Sequence, residues 1–284
     1  MNISLATDIL KRRQEGCLLL PPGCCLEFTP HPVPRNRRRM CVPVGVVMEH
    51  RYAFWFWIRA KTEAQYKLRG SQRGKRRWRP PDLLTLDWHD DVGAPCDFIE
   101  SELKRLNQRD ENEVGFFCWA GLRSLNDGHI APAMWLNAIG NVYAVTKQWD
   151  EPEENDCILT DRYGQEHAVT YLRSPEEFVD LWRESDRGDG LMWDIDLDYF
   201  TEADRASGQR CTPMLPDEEI AKALDPSQEW VREVLTNLRG VTIALEPEYT
   251  GGLSNSLHLF QQWEKAFFDV PLFDKQCEWK MFFE

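Results

Sequence analysis

The sequence from Gly190 to Asp198, Gly-Leu-Met-Trp-Asp-Ile-Asp-Leu-Asp, combines a short apolar run with aspartates at alternate positions. Such a run predicts a buried strand whose last acids lie at its carboxyl end. A second stretch, from Leu84 to Asp91, repeats the pattern, because Leu-Thr-Leu is followed by Asp87, His89 and Asp91. Where a strand leaves a parallel sheet, alternate side chains can converge on one point. The two stretches together predict a cation site.

The chemistry of the two motifs favours a metal ion. Five carboxylates would repel one another strongly in a partly desolvated pocket unless protons or metal ions neutralised them. Oxygen ligands with one or two imidazoles suit manganese better than they suit zinc. The alternative interpretation is that each acidic cluster is a solvated loop at a strand end. The residues concerned are Asp87, Asp91, Asp194, Asp196 and Asp198.

Length and charge limit the architecture and the partners. With 284 residues the chain is long enough for one α/β domain with a large core, so we predict a single domain over residues 1–284. Residues 1–41 are rich in proline and arginine, which predicts an irregular N-terminal segment. The net charge of −13 argues against a nucleic-acid partner.

One stretch departs from this acidic balance. Between Arg59 and Arg79 basic residues accumulate with a single acid, Glu63. We interpret residues 67–81 as an exposed loop. It is either a solvated loop or a docking surface for an acidic leader segment of a peptide.

Cysteine usage and hydropathy bear on the compartment. The nine cysteines form no Cys-x-x-Cys pair, and their odd number leaves at least one unpaired, which fits a reduced cytoplasm. The N-terminus lacks the basic and then apolar pattern of a signal peptide. No apolar run approaches the roughly eighteen residues of a membrane span. We therefore expect a soluble, cytoplasmic protein without a membrane partner, whose oligomeric state the sequence leaves open.

Strand and helix patterns alternate along the chain. The predicted strands are 42–48, 82–87, 141–147, 168–172, 191–195 and 241–245, and the longer predicted helices are 51–64, 97–107, 113–125, 227–239 and 253–268. This alternation favours a three-layer α/β/α fold with a mostly parallel central sheet. His50 then lies between the first strand and an aromatic helix, and Glu246 follows the last strand.

The order of these residues resembles a known superfamily. The metal and substrate residues of the arginase and agmatinase (ureohydrolase) superfamily have their counterparts here in His50, Asp87, His89, Asp91, Asp194, Asp196 and Glu246. Met48-Glu49-His50 before an aromatic helix, and Trp193 to Phe200, resemble more closely the peptide arginases. Those enzymes convert arginine side chains of ribosomally made peptides into ornithine. The resemblance covers residues 42–265 and implies an arginase-like fold.

The resemblance also implies a metal site. It implies two Mn²⁺ ions bridged by Asp87 and Asp194, with His50 and Asp91 on one ion and His89 and Asp196 on the other. It leaves Asp198 as a supporting residue beside the ligands. Hydrolysis of a guanidinium group needs an activated water, which a pair of metal ions can provide.

Two further residues are expected to act on the substrate. Glu246 matches the carboxylate that binds the guanidinium group, for which a charge-assisted pair is suited. Its alternative role is that of a solvated glutamate at a strand end. His129 is the candidate proton shuttle to the departing amine, and its alternative role is structural.

Two departures from the small-molecule arginases point to the substrate. Those enzymes carry a glycine pair where this chain has Val47-Met48. They also follow the Asp-x-His-x-Asp motif with a run of Ser, Thr and Asn that binds the amino acid's α-amino and carboxylate groups. Here the run from Val92 to Asp97 is Val-Gly-Ala-Pro-Cys-Asp. We therefore expect hydrolysis of peptidyl arginine to ornithine and urea, with a precursor peptide as the partner.

Other functions are consistent with parts of the pattern. A small-molecule guanidine or amidine hydrolase, or a deacetylase, can share the fold, although deacetylases pair adjacent histidines and this chain has no His-His. Aspartate-nucleophile phosphatases also place Asp-x-Asp after a strand. They need no Asp-x-His-x-Asp motif, and they carry Thr or Val where Asp198 stands. A non-catalytic module that binds arginine or a peptide is the third class.

Overall fold

The computed structural model describes residues 20–37, 40–70, 78–93, 97–122, 127–148, 152–185, 187–202, 213–280 and 282. Within them the strands are β1 (Cys24–Pro30), β2 (Cys41–Val47), β3 (Asp82–Asp87), β4 (Val142–Thr146), β5 (Cys157–Thr160), β6 (Glu166–Leu172), β7 (Leu191–Asp196) and β8 (Leu238–Ala244). The helices are α1 (Pro34–Arg37), α2 (Ala53–Gly70), α3 (Asp97–Arg105), α4 (Glu111–Ala120), α5 (Ile130–Trp135), α6 (Phe178–Glu184), α7 (Asp217–Ala223), α8 (Glu229–Asn237), α9 (Pro247–Thr250) and α10 (Leu253–Phe267). Single 3₁₀ turns cover His50–Tyr52, Pro152–Asn155, Pro175–Glu177 and Leu197–Phe200.

The strands form one sheet in the order β1-β2-β8-β7-β3-β4-β6-β5. All pairs inside the sheet are parallel, and only the edge pairs β1 with β2 and β5 with β6 are antiparallel. The prediction of an α/β fold with a mostly parallel sheet is confirmed at this level. Parallel strands need a crossover between them, and the helices of the chain supply it.

Helices cover both faces of this sheet. On one face the core residues of α2, α4 and α5 pack against the sheet, among them Phe54, Phe117 and Met134. On the other face Trp182, Trp230 and Trp263 bring α6, α8 and α10 against the opposite side chains of the same strands. Successive side chains of a strand point to opposite faces of the sheet, so each strand contributes to both cores. This is why these strands are apolar on both faces.

Both antiparallel edge strands escaped the sequence prediction. Residues 1–41 were expected to be irregular, which is wrong for Cys24–Pro30, since this segment pairs with β2 along its whole length. The cysteines and flanking prolines mask its strand propensity. The segment Cys157–Thr160 has only four residues and is largely exposed, so it is too short to show an alternating pattern. The first 19 residues lie outside those described.

The basic stretch is not one exposed loop, contrary to the prediction. Helix α2 runs to Gly70 and therefore includes Lys67. Arg59 and Lys61 are buried. The Arg59 Nε donates to the Glu63 carboxylate at 3.0 Å, and the Lys61 Nζ donates to Gln108 at 2.7 Å. Residues 71–77 lie outside those described. The docking role of the basic stretch stays a prediction.

Among the residues described, no helix combines the length and the apolar character that a membrane crossing requires.

Candidate metal centre

Four neighbouring strands end at the same edge of the sheet and carry the predicted site residues. In sheet order they are β2, β8, β7 and β3, all mutually parallel. His50 follows β2, Glu246 follows β8, the second acidic motif ends β7, and the first acidic motif ends β3. The carboxyl edge of an open parallel sheet is the usual position of functional residues in α/β proteins.

His50 lies at the centre of the cluster and is fully buried. Its Nδ1 atom is 2.8 Å from Asp91 Oδ2, 3.2 Å from Asp87 Oδ2 and 3.3 Å from Asp196 Oδ2. Its Nε2 atom is 2.7 Å from Asp194 Oδ2 on the other side of the ring. His50 is the first residue of the 3₁₀ turn that follows β2, and all three residues of this turn are buried. One imidazole thus contacts carboxylates from both acidic motifs.

His89 forms the centre of a second group. Its Nδ1 atom is 3.3 Å from Asp198 Oδ2 and 3.6 Å from Asp87 Oδ1. Asp87 therefore directs one carboxylate oxygen towards each histidine, which is the arrangement of a bridging ligand. Asp198 was expected to be only a supporting residue, yet its carboxylate lies in this group. The backbone N–H of Trp88 donates to the other Asp198 oxygen at 3.2 Å.

Three overlapping groups of side chains can hold a metal ion, since the ligand atoms in each lie within 4.8 Å of one another. They are His50 with Asp87 and Asp196, Asp87 with His89 and Asp198, and His50 with His129 and Asp194. All the predicted metal residues are thus brought to one place. Asp91, although in none of the three groups, contacts the His50 ring directly.

His50 Nδ1 and Asp87 Oδ2 are buried and have ion-pair contacts but no well-directed hydrogen bond among the described residues. They lie 3.2 Å from each other, and His50 Nδ1 is also 2.8 Å from Asp91 and 3.3 Å from Asp196. Asp82, at the opposite edge of the sheet, provides a contrast. Its carboxylate is equally buried but accepts from Gly188 N, Asn141 N and Trp182 Nε1 at 2.8 to 3.0 Å. Because buried polar atoms are normally satisfied, this difference fits a cation between the carboxylates.

The burial of so many charges at the site favours protons or cations among the carboxylates. Burial, with the Asp87 charge, raises the pKa of Asp91 well above its usual range. Burial and Asp198 do the same to the pKa of Asp196. Burial alone would lower the pKa of His50, but Asp194 and the other carboxylates outweigh it and raise that pKa well above its usual value. In the absence of metal, protons therefore neutralise part of the cluster.

Glu246 lies against the cluster at the end of β8. Its side chain is buried and accepts a hydrogen bond from the backbone N–H of His50. Burial raises the pKa of Glu246 to about 7, although the His50 N–H acts in the opposite direction. The residue is the N-cap of α9, and Pro247 occupies the first helical position. A solvated glutamate at a strand end, the alternative role, is excluded by this burial.

Two acidic residues of the site have left-handed backbone conformations. Asp91 has a φ of 48° and Glu246 a φ of 40°, values that are uncommon outside glycine. Such conformations cost about 1–3 kcal/mol each and persist where the surroundings enforce them. The Glu246 carbonyl accepts from Tyr249 N at 2.9 Å and from Thr250 N at 3.0 Å. These bonds hold the strained turn that aims the carboxylate at His50.

His129 is near the metal ligands but closed off from solvent. Its ring is fully buried, stacks on Trp57 with 5.4 Å between centroids, and meets the His50 ring edge-on at 4.3 Å. Its Nδ1 atom is 3.7 Å from Asp91 Oδ2. The structure thus supports a location in the site, while the predicted role as a proton shuttle stays a prediction.

The site opens to solvent on the side of His89. This ring is 22% exposed, whereas the side chains of the carboxylates around it are at most 5% exposed. Tyr249 lies beside it, with 5.8 Å between the ring centroids. Solvent therefore reaches the cluster on the side of His89 and Tyr249.

Sequence reasoning missed two threonines that support the site. Thr85 and Thr242 both donate hydrogen bonds to Asp194 from the neighbouring strands, Thr85 at 2.9 Å. Each interrupts an otherwise apolar strand, as in Leu83-Leu84-Thr85-Leu86. A hydroxyl in such a run is the signal that marks a buried polar partner.

Comparison with known proteins does not identify the chain. No protein-family model matches this sequence, and no curated protein matches it.

Proposed function

We propose that this protein is a binuclear metal hydrolase that converts arginine side chains of a peptide to ornithine with release of urea. The observation that carries the proposal is the convergence of two histidines and four carboxylates at one sheet edge, with Asp87 shared between both histidines. The order of these residues along the chain, which resembles that of the ureohydrolases, supports the same conclusion.

The residues present fit two divalent ions with hard oxygen ligands, and manganese is the ion we propose. His50, Asp87, Asp91 and Asp196 would hold one ion, and Asp87, His89 and Asp198 the other. When bound, such a pair supplies a hydroxide nucleophile near neutral pH and neutralises the carboxylates.

Glu246 binds the guanidinium group in this proposal. Its buried carboxylate is held beside His50 by the backbone of His50 itself, so its position relative to the metal ligands is defined. A charge-assisted pair with the guanidinium would orient the carbon for attack. The surrounding negative charge also favours a cationic substrate over a neutral or anionic one.

His129 would return a proton to the departing amine. The ring is fully buried, with its Nδ1 atom 3.7 Å from Asp91 Oδ2 and its edge against the ring of His50, so it lies beside the proposed metal ligands. Trp57 stacks on the ring and limits its rotation. A variant His129→Asn with normal metal content and reduced turnover would support this role, since a purely structural histidine would affect both or neither.

The experiment that tests the proposal measures urea and ornithine after incubation of the manganese-loaded protein with arginine-containing peptides. Free arginine and agmatine are the comparison substrates, and the Asp87→Asn variant is the inactive control. Ornithine in the peptide with release of urea supports the proposal. Urea from the free compounds alone would indicate a small-molecule hydrolase. Bound metal without urea from any substrate would indicate a binding module or a different amide or amidine substrate.

A further inference from the structure

Asp194 lies deeper within the sheet than Asp196 and Asp198, the other acids of its motif. It is inside β7, where it lies directly between Thr85 of β3 and Thr242 of β8 in the strand register. The side chain is fully buried. Asp196 is the last residue of the strand, and Asp198 lies in the 3₁₀ turn that follows. Only these two acids are therefore at the open edge.

The carboxylate of Asp194 has three polar contacts. Thr85 donates to Oδ2 at 2.9 Å, Thr242 donates to Oδ1, and His50 Nε2 lies 2.7 Å from Oδ2. A metal ion at Oδ2 would have to displace one of the two contacts that already occupy this oxygen. The group that joins Asp194 with His50 and His129 is thus less suited to a cation than the other two.

The contact with Asp194 determines which nitrogen of His50 can bind metal. A ring N–H that donates to a carboxylate leaves the opposite nitrogen with its lone pair, and metal-binding histidines are commonly oriented in this way. Here Nε2 faces Asp194, and Nδ1 faces the oxygens of Asp87, Asp91 and Asp196 within 3.3 Å. His50 therefore presents Nδ1 to the cation site.

We propose that Asp194 is a positioning residue that orients His50 through Nε2, and that the acids which bind metal from this motif are Asp196 and Asp198. The inference rests on the metal centre of the proposed function. It assigns metal binding to Asp196 and Asp198, whereas the sequence resemblance implied Asp194 and Asp196. In this proposal Thr85 and Thr242 fix the carboxylate of Asp194, and Asp194 orients His50 from inside the sheet. The metal would lie on the other side of the ring, at the open edge.

The test compares the manganese content, affinity and electron paramagnetic resonance spectrum of the wild type with those of Asp194→Asn and Asp198→Asn. In the Asp194→Asn variant we expect two ions and the spectrum of a spin-coupled pair, with an affinity about 10–100-fold weaker. In the Asp198→Asn variant we expect loss of one ion and the six-line spectrum of isolated Mn²⁺. An Asp194→Asn protein that loses one ion in the same way would overturn the inference. It would not contradict the proposed function, because Asp194 would then be a metal ligand.

A second variant decides the question if Asp194→Asn does not fold. Thr85→Val keeps the shape of the side chain and removes one donor to Asp194, so affinity should fall severalfold with two ions retained. Thr29→Val is the matched control, because Thr29 is buried in β1 and bonds to Trp279 and Val42. Equal affinity in Thr85→Val and the wild type would contradict the positioning role. A wild-type protein that takes up no manganese would overturn both the inference and the proposed function.

Discussion

At the scale of single residues, the site is defined by which polar atoms have partners and which have none. Asp82 and Asp194 are buried carboxylates satisfied by donors from their own surroundings. Asp87 is buried to a similar extent, but within the described part of the chain its Oδ2 atom has only the ion pair with His50 and no well-directed hydrogen bond. This difference is the basis on which we propose Asp87, and not Asp82 or Asp194, as a metal ligand.

Asp87 is the residue whose loss should affect the metal centre most. It is shared by the groups around His50 and His89, so Asp87→Asn should remove binding of both ions and lower turnover at least 10²-fold. Metal analysis after gel filtration checks this. Asp90→Asn is the control, since Asp90 lies in the same loop and in none of the metal groups. Full metal occupancy in Asp87→Asn would contradict the site.

Glu246 should give the reaction a pH dependence through substrate binding. Its pKa is raised to about 7 by burial, and only the ionised form pairs with a guanidinium. As the pH falls through the pKa, the carboxylate gains a proton and kcat/KM should fall. Bound cations favour the ionised form, so the inflection should lie at or below pH 7.

The pH profile of Glu246→Gln checks this assignment. The variant should lose that inflection and show a higher KM for the cationic substrate. Glu248→Gln, at an exposed position of α9, should behave like the wild type. An unchanged profile in Glu246→Gln would remove Glu246 from substrate binding.

At the scale of elements, the helices on one face brace the loops that carry the site. Lys61 of α2 is buried and donates to the carbonyl of Leu136, the C-cap of α5, and to Gln108. His129 is the N-cap of the same α5. The isolated bridge between Val92 and Gly128 connects the loop after Asp91 with the start of α5. Helix α5 is thereby tied to both α2 and β3.

The burial of Lys61 makes stability depend on pH. Burial, with the nearby charge of Arg162, lowers the pKa of Lys61 from 10.5 to about 8. Between these values the unfolded chain binds a proton that the folded chain does not. Stability should therefore rise with pH from about 8 to 10.5, by at most about 3 kcal/mol from this group.

The variant Lys61→Met isolates this contribution. Subtracting its urea unfolding free energies from those of the wild type cancels the other titrating groups, and the difference should increase over that pH range. Lys104→Met is the control, because Lys104 is exposed on α3. A difference that stays constant with pH would show that Lys61 is charged throughout in the folded protein.

At the scale of the whole molecule, two large apolar cores support a cluster of like charges at one edge of the sheet. Trp193 of β7 contacts Trp230, Trp263 and Phe267, with ring centroids 5.2–6.4 Å apart, directly before the second acidic motif begins. Buried aromatic area of this kind contributes the stability that offsets charge repulsion and strained backbone at the edge.

Metal binding should release protons and strengthen the fold. Since burial and neighbouring carboxylates raise the pKa values of Asp91 and Asp196, the metal-free site holds protons that a cation displaces. The affinity for Mn²⁺ should therefore rise with pH. Calorimetry in buffers of different ionisation enthalpy measures the protons released. At 100 times the dissociation constant, each bound ion should add about 2.7 kcal/mol to the unfolding free energy. Binding without proton release would contradict this account of the charges.

The basic stretch predicts a salt-dependent interaction with the substrate. Arg59 and Lys61 are buried, so the cations left to test are Arg73, Lys75, Arg76 and Arg77, which lie outside the described residues. If this segment docks an acidic leader, neutralising all four should weaken peptide binding more at low salt than at high salt. Fluorescence anisotropy of a labelled acidic peptide measures this. Equal affinity at low salt would return the segment to the role of a solvated loop.

The sequence alone was enough to predict the central strands and to place the acidic residues and histidines at their carboxyl ends. Its apolar runs are long enough to be recognised, and Asp, His and Glu follow them at alternate positions. Tertiary structure decided three things: that Asp194 is surrounded by His50, Thr85 and Thr242, that Asp198 lies beside His89, and that Arg59 and Lys61 are buried. The physical reason is that a carboxylate binds metal or stabilises the fold according to the donors around it. Those donors, such as Thr85 and Thr242, come from strands far away in the sequence.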